Sequence, residues 1–187
     1  MLASTAAAIA GPWKQILASH IKEPTNTMSS SSWPISLAQW SLHRTLRNGE
    51  LATEDFPEFT RDQFDVSGVE YVNSFFKERS TDDAWLAQLR KRCDDAKIKS
   101  ILIMVDGEGA LGAPDKRARD EAVDNHRRWL HAATELGCHG IRVNVPSEGT
   151  PEEQRERCAL GLSDLLVHAS KMELNVMIEN HGGLSSN

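Results

Sequence analysis

A chain of 187 residues, 40% hydrophobic and 26% charged, is long enough for one domain with a sizeable core and has the make-up of an ordinary globular protein. Its formal net charge of −6 repels phosphate backbones and argues against a nucleic-acid partner. No run approaches the ~18 apolar residues of a membrane span, and the three cysteines, Cys93, Cys138 and Cys158, lack the spacing of a disulfide framework or a CxxC metal site.

The first stretch stands apart. Met1 to Ala10 is a small-residue apolar run, and Ala8-Ile9-Ala10 fits the A-x-A pattern of a cleavage site. It resembles the later half of a twin-arginine-type export leader, but the first cation is Lys14 and the basic region of such a leader is missing. Two readings stay open: an exported protein whose start lies upstream, or a tail on a cytoplasmic one. A Ser-rich linker follows from Thr25 to Ser32. Residues 1–33 are therefore set apart as leader-like segment and linker, and 34–187 as the domain.

From Ile35 onward a short apolar strand, a polar loop and an amphipathic helix alternate. Strands are predicted from Ile35 (ISLAQW), Gly68 (GVEYVN), Lys99 (KSILIMV), Gly140 (GIRVNV) and Asn175 (NVMIE), at the spacing of a βα unit. Thr53 to Phe64 reads as helical, with Pro57 against it. Thr81-Asp-Asp leads the stripe Trp85, Leu86, Leu89, Cys93 and Ala96, with its acidic residues where the helix dipole favours them. Ala122, His126, Trp129, Ala133 and Leu136 form the next stripe, closed by Gly137 at the C′ position. Thr150-Pro-Glu-Glu153 is a capping box with proline at N1, opening a helix whose stripe is Cys158, Leu162, Leu165, Leu166 and Ala169. Cys93 and Cys158 thus read as small buried hydrophobes, His126 as a core histidine, and His139, just before a strand, as structural.

Repeated βα units mean a parallel sheet, either open and doubly wound or closed as an eight-stranded barrel. One strand face is apolar: Val69 and Tyr71, Ile101 and Ile103, Ile141, Val143 and Val145, Val176 and Ile178. The other carries Gln39, Glu70, Arg142, Asn144 and Glu179. An open sheet covered by helices on both sides would not gather polar groups on one face, so the pattern favours a barrel with a site at its C-terminal mouth. Gly107-Glu-Gly-Ala-Leu-Gly112 matches the dinucleotide fingerprint G-x-G-x-x-G, but Pro114 and Asp115 put the helix start beyond the glycines, and the next strand ends in Asn144 rather than an acidic residue. A flexible loop at the mouth is the expectation there.

Five stretches together carry a resemblance: Ile35-Ser-Leu-Ala-Gln-Trp-Ser-Leu-His43, Gly68-Val-Glu-Tyr-Val-Asn73, Ile101-Leu-Ile-Met-Val-Asp-Gly-Glu-Gly109, Gly137-Cys-His-Gly-Ile-Arg-Val-Asn144 and Ile178-Glu-Asn-His-Gly-Gly183. In order and spacing they resemble the sugar phosphate isomerase/epimerase family of xylose-isomerase-like TIM barrels. The resemblance implies an α/β fold of the (β/α)8 type, of which this sequence holds about the first five β/α units. It also implies a divalent metal at the C-terminal mouth, held by two glutamates, an aspartate and a histidine from strands five to eight. The glutamate ending strand five matches Glu179; the other three ligands have no counterpart, so the chain is expected to be an N-terminal fragment, inactive alone.

The chemistry implied is proton transfer beside a carbonyl, for which carboxylates shuttle the proton and a hard divalent metal polarises oxygens. Oxygen ligands suit Mn²⁺ or Mg²⁺, and a histidine also admits Co²⁺ or Zn²⁺. Glu179 is the expected catalytic and metal-binding residue; its alternative is a strand-end glutamate paired with a cation such as Arg142. Substrate contacts are expected from His43, Glu70, Asp106, Asn144 and His181, with a Glu70–Arg142 ion pair as the alternative for Glu70. The partner expected is a small sugar or sugar phosphate, with no nucleic acid and no membrane, and a homo-oligomer is left open. Two other functions are carried: a non-catalytic domain without tight metal binding, and, remotely, an abasic-site endonuclease-like phosphodiesterase, which a related branch of the superfamily represents.

Overall fold

The β-branched and aromatic runs become strands where their side chains can alternate between two packed faces. In the computed structural model, which describes residues 34–186, these are β1 (Leu37–Ala38), β2 (Gly68–Val72), β3 (Lys99–Val105), β4 (Gly140–Val143) and β5 (Asn175–Ile178). The leader-like segment and linker lie outside the described residues. All neighbours pair in parallel, in the order β1-β2-β3-β4-β5. Between them run α1 (His43–Arg47), α2 (Phe56–Phe64), α3 (Asp83–Asp95), α4 (Lys116–Leu136) and α5 (Pro151–Lys171). Sequential parallel strands with an intervening helix are the repeating unit of a TIM barrel, and among the described residues four helical connections join five such strands.

The helix caps follow their sequence signals. Asp82 accepts the N–H of Trp85 at 3.0 Å, and Asp115 that of Ala118 at 2.9 Å. Thr150 and Glu153 cap each other's backbone reciprocally at the start of α5. Gly137 closes α4 at φ 72°, a left-handed position that glycine takes without strain.

Register sorts the strand residues into rows. Tyr71, Ile103, Ile141 and Val176 align on the helix side, and the first three are fully buried among the stripes of α3 and α4. Val105 and Val143 continue that layer. On the lumen side Glu70 aligns with Leu102 and Gly140, and Val72 with Met104, Arg142 and Met177.

Four expectations need correction. The first strand is only two residues long, because Gln39–Leu42 turns at once into a 3₁₀ helix that feeds α1. Ile101 does not share a face with Ile103: the register shifts between Val69 and Glu70, so Ser100 is the buried neighbour of Tyr71, 3.4 Å from its hydroxyl. Leu166 is 46% exposed, and Gly161 takes its place in the contact of α5. The glycine-rich loop after β3 is pinned rather than flexible. Ser147 Oγ donates to Gly112 O at 2.5 Å, Leu111 is fully buried, and Gly161 lies so close that a Cβ there would collide with the Leu111 carbonyl. Within the loop Gly109 and Gly112 serve close packing, against Ala122 and against Cys158 and Ser147, whereas Gly107 has open space around it.

No helix among the described residues is long and apolar enough to cross a membrane.

Candidate active site at the C-terminal rim

Because Met104, Arg142 and Met177 share a lumen row, the residues two further along, Asp106, Asn144 and Glu179, share the row above it. That row lies just past the strand ends, and the Glu179 N–H still donates to Val143 O at 3.0 Å, so the carboxylate is carried on ladder geometry rather than on a free loop.

Arg142 rises from the row below into this ring, its side chain 14% exposed. Its Nη1 donates to Asp106 Oδ1 at 2.9 Å and lies 2.6 Å from Glu179 Oε2. Asn144 Nδ2 donates to the same Asp106 oxygen at 2.7 Å. His181 Nδ1 stands 3.3 Å from Glu179 Oε2. Neither contact to Glu179 Oε2 has the alignment of a hydrogen bond. Asn144 Oδ1 is buried with no partner among the described residues. One guanidinium thus bridges two carboxylates, a charge-assisted arrangement that fixes their separation. Beside it the loops after β4 and β5 enclose a cavity of about 340 Å³ lined by Asn144, Ser147, Gln154, His181 and Ser185.

Four of the expected residues, Asp106, Asn144, Glu179 and His181, are therefore brought together. The remaining two are not. His43 is not at a strand end but in α1, its Nδ1 bonded to Trp40 O at 2.7 Å and its ring stacked on Trp40 at 4.8 Å. Glu70 lies one lumen row deeper than Arg142, and its Oε1 accepts from Ser36 Oγ at 2.5 Å instead of pairing with the arginine. The cation pairing foreseen as the alternative for Glu179 does occur, with Arg142.

Sequence reasoning missed the support behind Asp106. Asn73, 1% exposed, hydrogen-bonds both backbone groups of Asp106, and Glu108, 4% exposed, is held by Asn73, Lys77 and Arg128. The only sequence signal was an acidic residue between two glycines just after a strand. His126, as expected, is a core histidine: it is 2% exposed, and burial lowers its pKa.

Among the described residues no group of three or more His, Cys, Asp or Glu side chains could hold a metal ion. Glu179 and His181 offer two neighbouring donors, and a guanidinium already stands against the carboxylate. These residues do not compose a divalent-metal site by themselves.

A model of the xylose isomerase-like TIM barrel family matches residues 63–187. The chain belongs to that family. Among solved structures, the xylose isomerase-like fold is shared with a D-psicose 3-epimerase crystallised with D-fructose, at 16% identity and a TM-score of 0.60 over 76% of this chain and 50% of that one. It is shared with 3-keto-D-glucoside 4-epimerase from E. coli, at 14% identity and a TM-score of 0.56 over 67% and 50%. The IOLI protein with a bound zinc matches at 11% identity and a TM-score of 0.62 over 78% and 51%. The chain thus spans about half the length of these structures. No curated protein matches it.

Proposed function

We propose that this chain supplies the first five β/α units of a sugar isomerase or epimerase, in which Glu179 moves a proton on the carbon beside a carbonyl. The observation that carries the reading is the convergence of Glu179 and Asp106 on Arg142, with Asn144 bonded to Asp106, on the lumen row just past three adjacent strand ends. That is where a TIM barrel places its chemistry. The epimerase names of two structures sharing the fold support the same reaction class.

In this reading Glu179 Oε1 or Oε2 takes the carbon-bound proton and returns it, to the same or a neighbouring position. Arg142 aims the carboxylate, its guanidinium 2.6 Å from Glu179 Oε2. Asn144, with its carbonyl oxygen unpartnered and its amide tied to Asp106, is set to accept a hydrogen bond from a polyol hydroxyl. His181, more exposed, orients Glu179 from the solvent side. A divalent ion of the Mn²⁺, Mg²⁺, Co²⁺ or Zn²⁺ type would polarise the carbonyl, with Glu179 as one ligand and the rest from outside these residues.

The test is turnover on aldose and ketose panels with added Mn²⁺ or Co²⁺, followed by deuterium uptake from solvent into the recovered sugar. Glu179→Gln is expected to lower deuterium uptake by roughly 10²–10⁴-fold. Undiminished uptake in that variant sinks the assignment.

A second reading, a domain that binds no metal tightly and turns nothing over alone, draws on the contact between Arg142 and Glu179. It expects no Mn²⁺ to be retained by the 187-residue chain in equilibrium dialysis. Stoichiometric retention would contradict it and show that Glu179 releases Arg142 for metal.

A further inference from the structure

At two successive strand ends an amide side chain takes over the ladder from the backbone. β1 stops at Ala38, and the fully buried Gln39 offers Oε1 to the Val72 N–H at 2.8 Å. β2 stops at Val72, and Asn73 performs the same service for Asp106, but twice. Its Oδ1 accepts the Asp106 N–H at 3.1 Å, and its Nδ2 donates to the Asp106 carbonyl at 2.8 Å.

The difference matters geometrically. The N–H of Asp106 belongs to the peptide plane before its Cα and the carbonyl to the plane after it. Holding both planes fixes φ and ψ, and with them the direction of the Cα–Cβ bond. The single bond from Gln39 fixes one plane at Val72, a core residue with no role at the rim. The pair of hydrogen bonds from Asn73 fixes the side-chain direction of Asp106, which emerges at the rim to meet Arg142 and Asn144.

Asn73 is itself anchored. Its Nδ2 also faces Glu108 Oε1 at 3.3 Å, and that carboxylate, its side chain 2% exposed, is gripped by Arg128 Nη2 and by Lys77 Nζ at 3.4 Å. A continuous polar chain therefore runs from α4 through Glu108, Asn73, Asp106 and Arg142 to Glu179 and His181, crossing four strand ends. A buried ion pair is a weak source of net stability compared with apolar filling. What this one supplies is a fixed amide behind the rim.

We infer that Asn73, backed by Glu108, is the positioning residue of the candidate site, acting on Glu179 through Asp106 and Arg142. The inference rests on the proposed role of Glu179 for its functional meaning, though not for its geometry. Neither Asn73 nor Glu108 touches substrate in it.

The experiment compares Asn73→Ala with Gln39→Ala, which removes the equivalent clamp one strand earlier. The first readout is NMR of the Asn144 side-chain amide and the Arg142 Nε–H group in the 187-residue chain. The second is the split between kcat and KM in the active enzyme. Asn73→Ala is expected to shift both rim signals and to lower kcat by on the order of tenfold or more, since small misplacements of reacting groups cost that much. KM should stay within about threefold, because ground-state contacts are kept. Gln39→Ala is expected to lower the melting temperature comparably while leaving the rim signals in place. Rim signals unmoved by Asn73→Ala, or moved equally by Gln39→Ala, overturn the inference. If Asn73→Ala does not fold, Glu108→Gln keeps the Asn73 amide but removes the charge that anchors its surroundings, and the same rim signals must then move. The NMR comparison decides the positioning even if Glu179→Gln shows the proton-transfer reading to be wrong.

Discussion

At the scale of single residues, burial governs what the titratable groups can do. Cys138 is 6% exposed, and burial pushes its thiol up to about 12; Cys93, 2% exposed and 3.0 Å from the Tyr71 hydroxyl, is raised for the same reason, as is Tyr71 itself. The thiolate is the nucleophile, so neither Cys93 nor Cys138 is expected to react with a chromogenic disulfide reagent at pH 8 until denaturant is added. Rapid labelling of Cys138 in the native chain would contradict this burial. The same groups set the pH limits of the fold. Below pH 9 folded and unfolded states both keep the Cys138 proton, and that contribution to stability is complete. As pH rises from 9 towards about 12 the unfolded chain loses the proton first, and stability falls. His126 works in the opposite sense, since burial holds its pKa below 6.5. Its contribution is complete above that value and is lost as pH falls through the lowered one. Urea midpoints measured across pH should therefore decline at both ends, with Cys138→Ala flattening the alkaline limb and His126→Leu the acid one.

Among the elements, boundaries were legible wherever local chemistry sets them. Asp82, Asp115, Thr150 and Gly137 announced four helix ends, because a cap satisfies backbone groups within three residues of itself. The starts of β2 to β5 were legible because buried parallel strands need consecutive apolar or β-branched residues. Features that depend on a second element were not. The shift at Val69/Glu70 moves Ile101 away from Ile103, and nothing local to KSILIMV marks it. Gly161 is the clearest case: it stands in α5 where alanine is the better helix former, and only the approach of the Leu111 carbonyl explains it. Gly161→Ala is therefore expected to destabilise, by about 1–3 kcal/mol for an overpacked contact. That corresponds to a fall in melting temperature of roughly 2–12 °C for a chain of this size. Leu166→Ala, at a side chain 46% exposed, should stay within about 0.5 kcal/mol. If Gly161→Ala raises the melting temperature instead, helix propensity outweighs the contact and the close approach is wrong.

For the whole molecule, the rim row was legible because strand ends and alternation place Asp106, Asn144 and Glu179 together, whereas Asn73 and Glu108 act through a pairing between residues more than thirty positions apart. His43 was misplaced because β1 ends sooner than its apolar sequence suggests. The outer surface of the sheet has a further consequence. Parallel sheets are covered on both faces, yet β5 pairs on one side only among the described residues, and Ile178 is 51% exposed beside a fully buried Val143. Leu166, Val167 and Met172 on and after α5 are between 40% and 54% exposed. Fully burying an exposed side chain of this size contributes about 1.5–3 kcal/mol, and roughly half of that remains available at side chains already half buried, so the apolar side chains near this edge favour contact with another surface, and an unpaired strand edge adds free N–H and C=O groups that can template it. The 187-residue chain in isolation is therefore expected to self-associate, its mass by light scattering rising with concentration. Ile178→Lys sets a charge on that edge and should bring the mass back towards that of the monomer, whereas Glu173→Lys, at an exposed turn before β5, should not. A wild-type chain that stays monomeric at the highest concentration reached would show that these side chains do not act together as an interaction surface.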